Sequence, residues 1–440
     1  MLRYVRTAFY AMLLLGAAPL HAETLETETL DGGVPLWVAP EPTLPLVTIR
    51  FTFQGAGSVS DSEGTLGRAT LVSSLLGEGG GDLDAVAFQQ ALAAEAIQFS
   101  AVADSDSLHV TLVSLRQSLP QAIVLATKAL AAPRFDAADV ARLKGAQVAR
   151  LKRAAEQPAY VASRLLSSHL FAGHPYASPT LGTAEDIAAL NTSDLRDYVA
   201  TYLTRGTLMM AASGDISAAE LEDALAPFIQ ALPENIAGMS PVSPVVLPKE
   251  TKVLRQQAEV PQSVILFALP WVARTDERFY ASYLAANILG ENPLGSRLGD
   301  VLRREGGKVY DVRSDIEIRR GASVLMGSAA TRNDQVEETI AAIRQTFADF
   351  AARGATSEEC ADAKSYVIGR FPMQFDSTAD RAATLQMMQF YQLPEDYLEK
   401  RSEIFDAVRC EEINRIAAQF LNPKHLIFAV VGGTPGVSER

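Results

Sequence analysis

The hydrophobic pattern of residues 295–318 changes its period part-way along the segment. Its first part carries apolar residues at the spacing of a helix: Leu298, Val301 and Leu302. Gly306 and Gly307 follow, and glycines at such positions end helices in the left-handed conformation. From Tyr310 onward apolar and charged residues alternate, as in a half-buried strand. The segment therefore predicts a helix, a turn and a strand, with Arg303 in the last helical turn close to Tyr310.

The rest of the chain shows the same two periods in separate stretches. Apolar and polar residues alternate in residues 47–53 and 108–112, which predicts strands. Residues 319–327 predict a strand that lies either inside a sheet or at an edge, where it could pair with an extended peptide. Helical spacing extends over four longer stretches: 66–76, 137–153, 159–170 and 184–203. A further helix is predicted after Thr356, because Thr356 and Glu359 match a capping box.

The chain contains two similar halves. Three pairs of segments match: 194–203 with 412–421, 208–214 with 426–432, and 74–78 with 287–291. The first pair are helices, and each leads into an apolar strand of the second pair. Self-similarity over such a distance indicates two domains of one fold rather than a short-period solenoid. Because strands and long helices are segregated in each half, the predicted fold class is α+β, with two homologous layered α/β domains.

A proline-rich stretch, residues 233–248, separates the two halves. It has little hydrophobic periodicity, as expected of an extended linker. The predicted organisation is an N-terminal domain over residues 23–235, a linker over 236–249 and a C-terminal domain over 250–440.

The first residues of the chain, 1–22, have the features of a secretory signal peptide. Arg3 and Arg6 form the basic region, residues 8–18 form the apolar core, and Leu20-His-Ala22 resembles a small-residue cleavage site. The apolar run is too short to span a bilayer comfortably. We therefore expect a periplasmic protein that is not inserted in a membrane once the signal peptide has been removed.

The acidic balance of the chain disfavours two kinds of partner. The formal net charge is −13, and the loss of Arg3 and Arg6 with the signal peptide, which contains no acid, makes it −15. Such a charge argues against nucleic acid and against anionic membrane surfaces as partners.

The cysteines and histidines offer no metal site in the sequence. Cys360 and Cys410 are too few for a cysteine-based site, and whether they form a disulfide depends on geometry that the sequence does not give. The histidines are scattered, at positions 21, 109, 169, 174 and 425, and neither His-x-x-Glu-His nor His-x-x-x-His occurs. We interpret the histidines as surface or capping residues.

Several local motifs resemble those of the insulinase/pitrilysin-type (inverzincin) zinc peptidases. In that family a Leu-Arg pair is followed by a Tyr, at the spacing seen here for Arg303 and Tyr310, in a segment that binds substrate. The motif Phe-Ala-Gly-His-Pro-Tyr at 171–176, with Leu-Gly-Thr at 181–183, is similar to a stretch of the family's first domain. The duplication also matches, so the resemblance covers nearly the whole mature chain and implies the same layered fold.

The zinc motif of that family is absent from this chain. Active members carry His-x-x-Glu-His on a helix of the first domain, where the two His bind zinc and the Glu activates a water. Here Thr70 and Ser74 stand at the positions of the two His, and Ser73 stands at that of the Glu. Leu151 stands at the position of a further Glu ligand. The resemblance therefore implies a non-zinc member of the family, with no cofactor of its own.

Two hypotheses about function follow from the resemblance. In the first, the chain is the non-zinc subunit of a heterodimeric periplasmic zinc peptidase that degrades unfolded peptides. A homologous partner with an intact motif would hold the zinc, while Arg303 and Tyr310 would bind the substrate carbonyl and support the oxyanion. In the second, the chain is an inactive scaffold or peptide-binding protein of the same fold. Arg303 would then only offset the negative end of its helix, and Tyr310 would be an ordinary strand aromatic.

Overall fold

The computed structural model describes residues 25–234, 242–292, 295–306 and 309–433. The predicted signal peptide, residues 1–22, lies outside these ranges, and so does the first part of the predicted linker. No helix of the described ranges is both long and apolar enough to cross a bilayer.

The first half of the chain is built on a six-stranded sheet. Its strands are β1 (Glu26–Leu30), β2 (Val34–Pro40), β3 (Leu46–Gln54), β4 (Gln98–Ala103), β5 (Ser107–Leu115) and β6 (Leu208–Gly214). Its helices are α1 (Arg68–Leu75), α2 (Ala85–Ala94), α3 (Leu119–Ala131), α4 (Ala137–Ala155), α5 (Pro158–Leu170), α6 (Ala184–Ala189), α7 (Thr192–Tyr202) and α8 (Ala218–Ala231). The strand order is β1-β2-β6-β3-β5-β4, with β2 and β6 parallel and the other neighbours antiparallel.

The second half is built on a five-stranded sheet. Its strands are β7 (Lys252–Gln256), β8 (Gln262–Pro270), β9 (Val309–Arg319), β10 (Ala322–Arg332) and β11 (Ile427–Val431). Its helices are α9 (Phe279–Ala286), α10 (Val336–Arg353), α11 (Ser357–Arg370), α12 (Thr378–Phe390), α13 (Tyr397–Ala407) and α14 (Cys410–Phe420), and two π-helical turns cover Asn287–Glu291 and Gly299–Glu305. The strand order is β7-β11-β8-β10-β9, with β7 and β11 parallel and the other neighbours antiparallel.

The two sheets have the same topology, which confirms the predicted duplication. With β1 set aside, the order β2-β6-β3-β5-β4 corresponds strand by strand to β7-β11-β8-β10-β9, and the one parallel pair lies at the same place in both. The matching helices α7 and α14 precede β6 and β11, as the repeated sequence predicts. The fold class is therefore α+β, with two homologous layered units.

Each half covers the sheet of the other half with one of its own helices. α5, from the first half, lies on β8 and β11 of the second sheet. Leu166 and Leu170 belong there to one apolar cluster with Ala268 and Ala429, and all four are buried. Because alanine side chains are short, they let the helix lie close to the sheet.

α12, from the second half, lies on the first sheet in the equivalent position. Leu385 and Met388 form an apolar cluster there with Ala211 of β6. Because α12 covers this face of the sheet, β3 is buried on both faces. The alternation of apolar and polar residues along β3 predicts instead a half-buried strand. Thr48 of the polar face is buried, and its hydroxyl meets the hydroxyl of Thr378 at 2.7 Å.

The helix predicted before the glycine pair is a π-helical turn, Gly299–Glu305. Leu298 and Leu302 are buried as predicted, whereas Val301 is 37% exposed. The i→i+5 hydrogen bonds of a π turn place more residues in each turn, so Leu302 stays on the face of Leu298 while Val301 turns outward. The left-handed position predicted at Gly306 is wrong, since its φ is −84°, and the second glycine lies outside the described residues.

The stretch predicted as one helix, 184–203, forms two helices, α6 and α7. Asn191 interrupts the stretch, because its side chain accepts hydrogen bonds from the N–H groups of Ser193 and Asp194. The Asp194 carboxylate accepts in return from the Asn191 N–H, which completes a capping box and starts α7. The capping box predicted at Thr356 is confirmed and starts α11.

A disulfide joins Cys360 of α11 to Cys410 of α14, with the Cα atoms 5.8 Å apart. The sequence alone leaves this pairing open. The two cysteines are 50 residues apart, and a cross-link over such a loop contributes about 4 kcal/mol by restricting the unfolded chain.

Candidate functional site

The three positions that the sequence resemblance aligns with the zinc motif, Thr70, Ser73 and Ser74, lie on α1 and carry hydroxyl groups. Thr70 and Ser73 are buried, and the Thr70 hydroxyl donates to the carbonyl of Thr180 at 2.8 Å. The hydroxyls of Ser73 and Ser74 donate to the carbonyl of Thr70 at 2.9 and 3.0 Å. All three hydroxyls are therefore engaged with nearby backbone groups.

The fourth position, Leu151 on α4, carries no atom that could bind a metal. One turn before it, the Gln147 amide donates to the carbonyls of Gly67 and Leu181 at 3.0 and 2.9 Å, which fastens α4 to the start of α1. Zinc is bound by Cys, His and acidic side chains, so hydroxyls with a leucine do not fit this ion. Within the described ranges no group of three His, Cys, Asp or Glu side chains is placed to hold a metal.

The start of α1 is fixed by a buried carboxylate and a close backbone contact. The Asp61 carboxylate accepts hydrogen bonds from the N–H groups of Gly67 and Ala69 at 3.1 and 3.3 Å. Burial raises the pKa of Asp61 to about 7, although these N–H groups and the Arg68 guanidinium act against the rise. Gly67 has a φ of 89°, and a side chain there would strike the backbone of Leu181. The Leu-Gly-Thr motif thus has a packing role.

Arg303 lies on the π-helical turn, and its side chain is exposed. It makes no hydrogen bond or ion pair with any group that the structure describes, whereas the adjacent Arg304 pairs with Asp300. Tyr310 is the second residue of β9, but its side chain lies outside the described part of the structure. The proximity of Arg303 and Tyr310 therefore stays a prediction.

β4 lies at one end of the first sheet, and no described strand pairs with its outer edge. Exposed and half-buried residues alternate along it, and Gln98, Ser100 and Val102 are the exposed ones. The unpaired backbone groups of such an edge can bind an extended chain. Residues 319–327 are not an edge strand, because most of them belong to β10, which lies between β8 and β9.

Tyr176 of the His-Pro-Tyr motif joins the two halves. Its hydroxyl donates to the carboxylate of Asp106, in the turn between β4 and β5, and accepts from the Gly321 N–H at 3.3 Å. Asp106 also accepts from the Arg320 N–H at 3.1 Å. Arg320 and Gly321 form the turn between β9 and β10. The motif therefore fastens a hairpin of the second half to a turn of the first.

His109 of β5 lies in a polar network between the halves. Its Nε2 is 2.9 Å from a carboxylate oxygen of Asp104, and its Nδ1 is 3.1 Å from the Thr52 hydroxyl. The amide nitrogen of Gln386, on α12, is 3.2 Å from the same Nδ1. Arg50 donates to the Gln386 amide oxygen at 2.6 Å, which turns the amide N–H groups toward His109. Nδ1 then accepts and Nε2 donates to Asp104.

His109 is half-buried and not fully exposed at the surface. Its side chain is 22% exposed, because α12 of the other half covers it. No local sequence signal marks this contact, since Gln386 lies 277 residues further along the chain.

Family models match both halves of the chain. Residues 41–184 match the model described as insulinase (peptidase family M16), and residues 189–367 match the model described as the peptidase M16 inactive domain. The chain belongs to the insulinase family. It is a member whose sequence contains no His-x-x-Glu-His motif.

Three similar proteins show how far this insulinase-family likeness extends. The "Non-peptidase homolog YmxG" of Helicobacter pylori is 26% identical over 425 residues, which cover 96% of this chain and 98% of the relative. The crystal structure of a peptidase M16 inactive domain from Pseudomonas fluorescens has a TM-score of 0.88 and 26% identity, and the match covers 94% of this chain and 100% of that one. A chain of complex III from Candida albicans has the same fold, with a TM-score of 0.76, 17% identity and coverage of 93% and 96%.

Proposed function

We propose that this chain is the non-zinc subunit of a heterodimeric zinc metallopeptidase that degrades peptides. The observation that carries the proposal is Arg303, whose exposed guanidinium has no partner among the described groups. It is kept, at the family spacing from Tyr310, in a chain that has lost the zinc motif. A scaffold that never meets a substrate has no use for that spacing.

A second chain is needed because the family chemistry depends on a zinc-activated water. Thr70, Ser73, Ser74 and Leu151 cannot hold the metal. A homologous partner with an intact His-x-x-Glu-His would supply both zinc and general base. Arg303 and Tyr310 would donate hydrogen bonds to the substrate carbonyl and to the oxyanion that forms from it.

The outer edge of β4, with which no described strand pairs, favours the hypothesis that the ligand is a peptide. An extended and unfolded chain can add to such an edge through backbone hydrogen bonds, without a particular sequence. The alternating exposed positions of β4 would lie beside the side chains of that peptide.

We assign this peptidase to the periplasm. The pattern of residues 1–22 is that of a secretory signal peptide. The disulfide between Cys360 and Cys410 is of a kind that persists in oxidising compartments such as the bacterial periplasm.

Mild affinity purification of the tagged mature chain from a periplasmic extract tests the proposal. We expect a stoichiometric partner of similar size that contains His-x-x-Glu-His, and a peptidase activity of the pair that a zinc chelator removes. Recovery of the chain alone, with no chelator-sensitive activity in the preparation, would contradict the proposal.

A scaffold or peptide-binding protein is the second candidate. Two observations favour it: the loss of every zinc position, and a fold shared with a chain of complex III. In that case the purified assembly would hold the chain stably but would cut no peptide.

A further inference from the structure

An open cavity of about 180 Å³ lies between the two halves, next to the network around His109. A space of this size suits one long side chain rather than a folded segment of a partner protein. The first half lines it with the β4–β5 turn, with His109 of β5 and with β6, and the second half lines it with β9 and with α12 and the residue after it. Its apolar walls come from Met209, Ile318, Met387 and Phe390, and its acidic part comes from Asp104 and Asp106.

Neither carboxylate forms an ion pair with a Lys or Arg of the described residues. Asp106 is 6% exposed, and its two oxygens accept from the Tyr176 hydroxyl and the Arg320 N–H. Asp104 uses one oxygen for the N–H groups of its own turn and the other for His109, yet its side chain is 55% exposed. A carboxylate oxygen accepts two hydrogen bonds, so Asp104 has capacity for a further donor from solvent or from a ligand.

Arg319, whose charge acts on Asp106, is already engaged elsewhere. The Arg319 guanidinium lies over the rings of Phe171 and Tyr176, 4.6 and 4.9 Å from their centroids. It also pairs with Glu317 of the same strand. Arg319 therefore acts on Asp106 through its charge but forms no ion pair with it among the described residues.

The pKa values of the cavity wall agree with that charge. Burial raises the pKa of Asp106, and the neighbouring charge of Asp104 adds to the rise. Burial raises the pKa of Tyr391 to about 12; the charge of Arg274 acts against the rise, and the charges of Asp106 and Asp104 add to it. Within these shifts, it is the contributions of the two carboxylates that disfavour further negative charge here and favour a cation.

The cavity begins where the free edge strand ends. Ala103 is the last residue of β4, and Asp104 follows it directly. A peptide that added a strand along β4 would therefore carry its side chains to the acidic turn.

We propose that this cavity binds one lysine or arginine side chain of a peptide held along β4. The aliphatic part of such a side chain would pack on the apolar walls, and its cationic end would meet the Asp104 carboxylate in a charge-assisted hydrogen bond. This preference rests on the proposed function, since its ligand is a peptide. It adds a specificity that the proposed function does not contain.

The test measures peptide binding to the full complex as purified from the native host, with a chelator present so that nothing is cut. Two unfolded fluorescent peptides differ at one position, which is lysine in one and norleucine in the other. We expect the lysine peptide to bind about tenfold more tightly by anisotropy, as one hydrogen bond to a charged group allows. Asp104→Asn should remove the difference. Met387→Lys, which places an ammonium in the cavity, should also remove it.

The matched control is Asp362→Asn, an exposed carboxylate on α11 for which the described residues supply no ion pair; the tenfold difference should persist there. If the wild type binds both peptides equally, the cavity assignment is overturned while peptide binding stands. If neither peptide binds, the proposed function and this preference both fall. If the tenfold difference in affinity persists in both Asp104→Asn and Met387→Lys, the assignment would also be overturned. A site other than this cavity would then bind the lysine side chain.

Discussion

The hydroxyls of α1 and the guanidinium of Arg303 have opposite environments. The hydroxyls of Thr70 and Ser73 are buried and donate to nearby carbonyls, so their hydrogen-bonding capacity as donors is used within the fold. The Arg303 side chain is exposed and unpaired within the described part of the chain. A polar group that the fold leaves without a partner is available to a ligand, whereas a satisfied one is not.

Replacement of Arg303 tests its role directly. Arg303→Ala should lower the peptidase activity of the purified complex about 100-fold, because one donor to the developing oxyanion is lost. Tyr310→Phe should act in the same direction. Arg304→Ala is the matched control, since this neighbour pairs with Asp300 and should leave activity unchanged. Full activity of both Arg303→Ala and Tyr310→Phe in an intact complex would disprove the catalytic role.

The buried Asp61 predicts a dependence of stability on pH. Its pKa is raised from 3.8 to about 7 in the folded chain, so between these values the folded state binds the proton and the unfolded state does not. Stability from this group is therefore present at low pH and is lost as the pH rises through 7, by about 3 kcal/mol between pH 5 and pH 8. Asp61→Asn keeps an acceptor for the N–H groups but does not titrate. Urea unfolding at both pH values should show a smaller fall for the variant than for the wild type, and equal falls would contradict the assignment.

At the scale of secondary structure, contacts between distant elements fix the position of one helix relative to another, which the local sequence does not determine. α11 and α14 each begin with their own local signals, but the disulfide between Cys360 and Cys410 fixes them to each other. In the same way α5 and α12 are ordinary amphipathic helices whose place is set by the sheet of the opposite half.

Reduction of the disulfide should weaken the second half. We expect a loss of about 4 kcal/mol in the free energy of unfolding when Cys360 and Cys410 are reduced, since the unfolded chain regains its freedom. Denaturant unfolding with and without a reductant measures it. A Cys360→Ser, Cys410→Ser double variant should resemble the reduced protein and should not respond to the reductant. An unchanged midpoint on reduction would show that the cross-link adds nothing.

At the scale of the whole molecule, the exchange of α5 and α12 joins two copies of one fold into a single structure. Each sheet has one face covered by a helix from the other copy. The contact between the two halves contains a hydrogen-bond network, which is formed by Arg50, Gln386, His109 and Asp104. The cavity proposed for a basic side chain lies there too, so it exists only when both halves are folded and docked.

A destabilising substitution in one half should therefore also lower the local stability of the other half. Leu385 of α12 is fully buried, and Leu385→Ala should cost about 2–5 kcal/mol. Amide hydrogen exchange should rise in β3 and β6 of the first half, although the changed residue belongs to the second. Val124→Ala, at a position 46% exposed on α3, is the control. Faster exchange confined to the second half would contradict the coupling.

The sequence by itself determined the features that depend on neighbours along the chain. The alternation after Tyr310 placed β9, the capping box at Thr356 placed the start of α11, and the matching segments placed two units of the same fold. The absence of the His-x-x-Glu-His motif is also visible without a structure. Each of these follows from backbone periods, caps or residue chemistry, which are local properties.

Only the tertiary structure decided which faces are covered and which distant groups meet. Both faces of β3 are covered, and Cys360 is paired with Cys410. His109, which the sequence places at the surface, lies at the contact between the two halves. Val301 is turned outward on a π-helical turn. These outcomes depend on packing between elements far apart in the chain, as between His109 and Gln386. Local periods carry no information about such contacts, because the free energy that selects them comes from burial between elements and not within them.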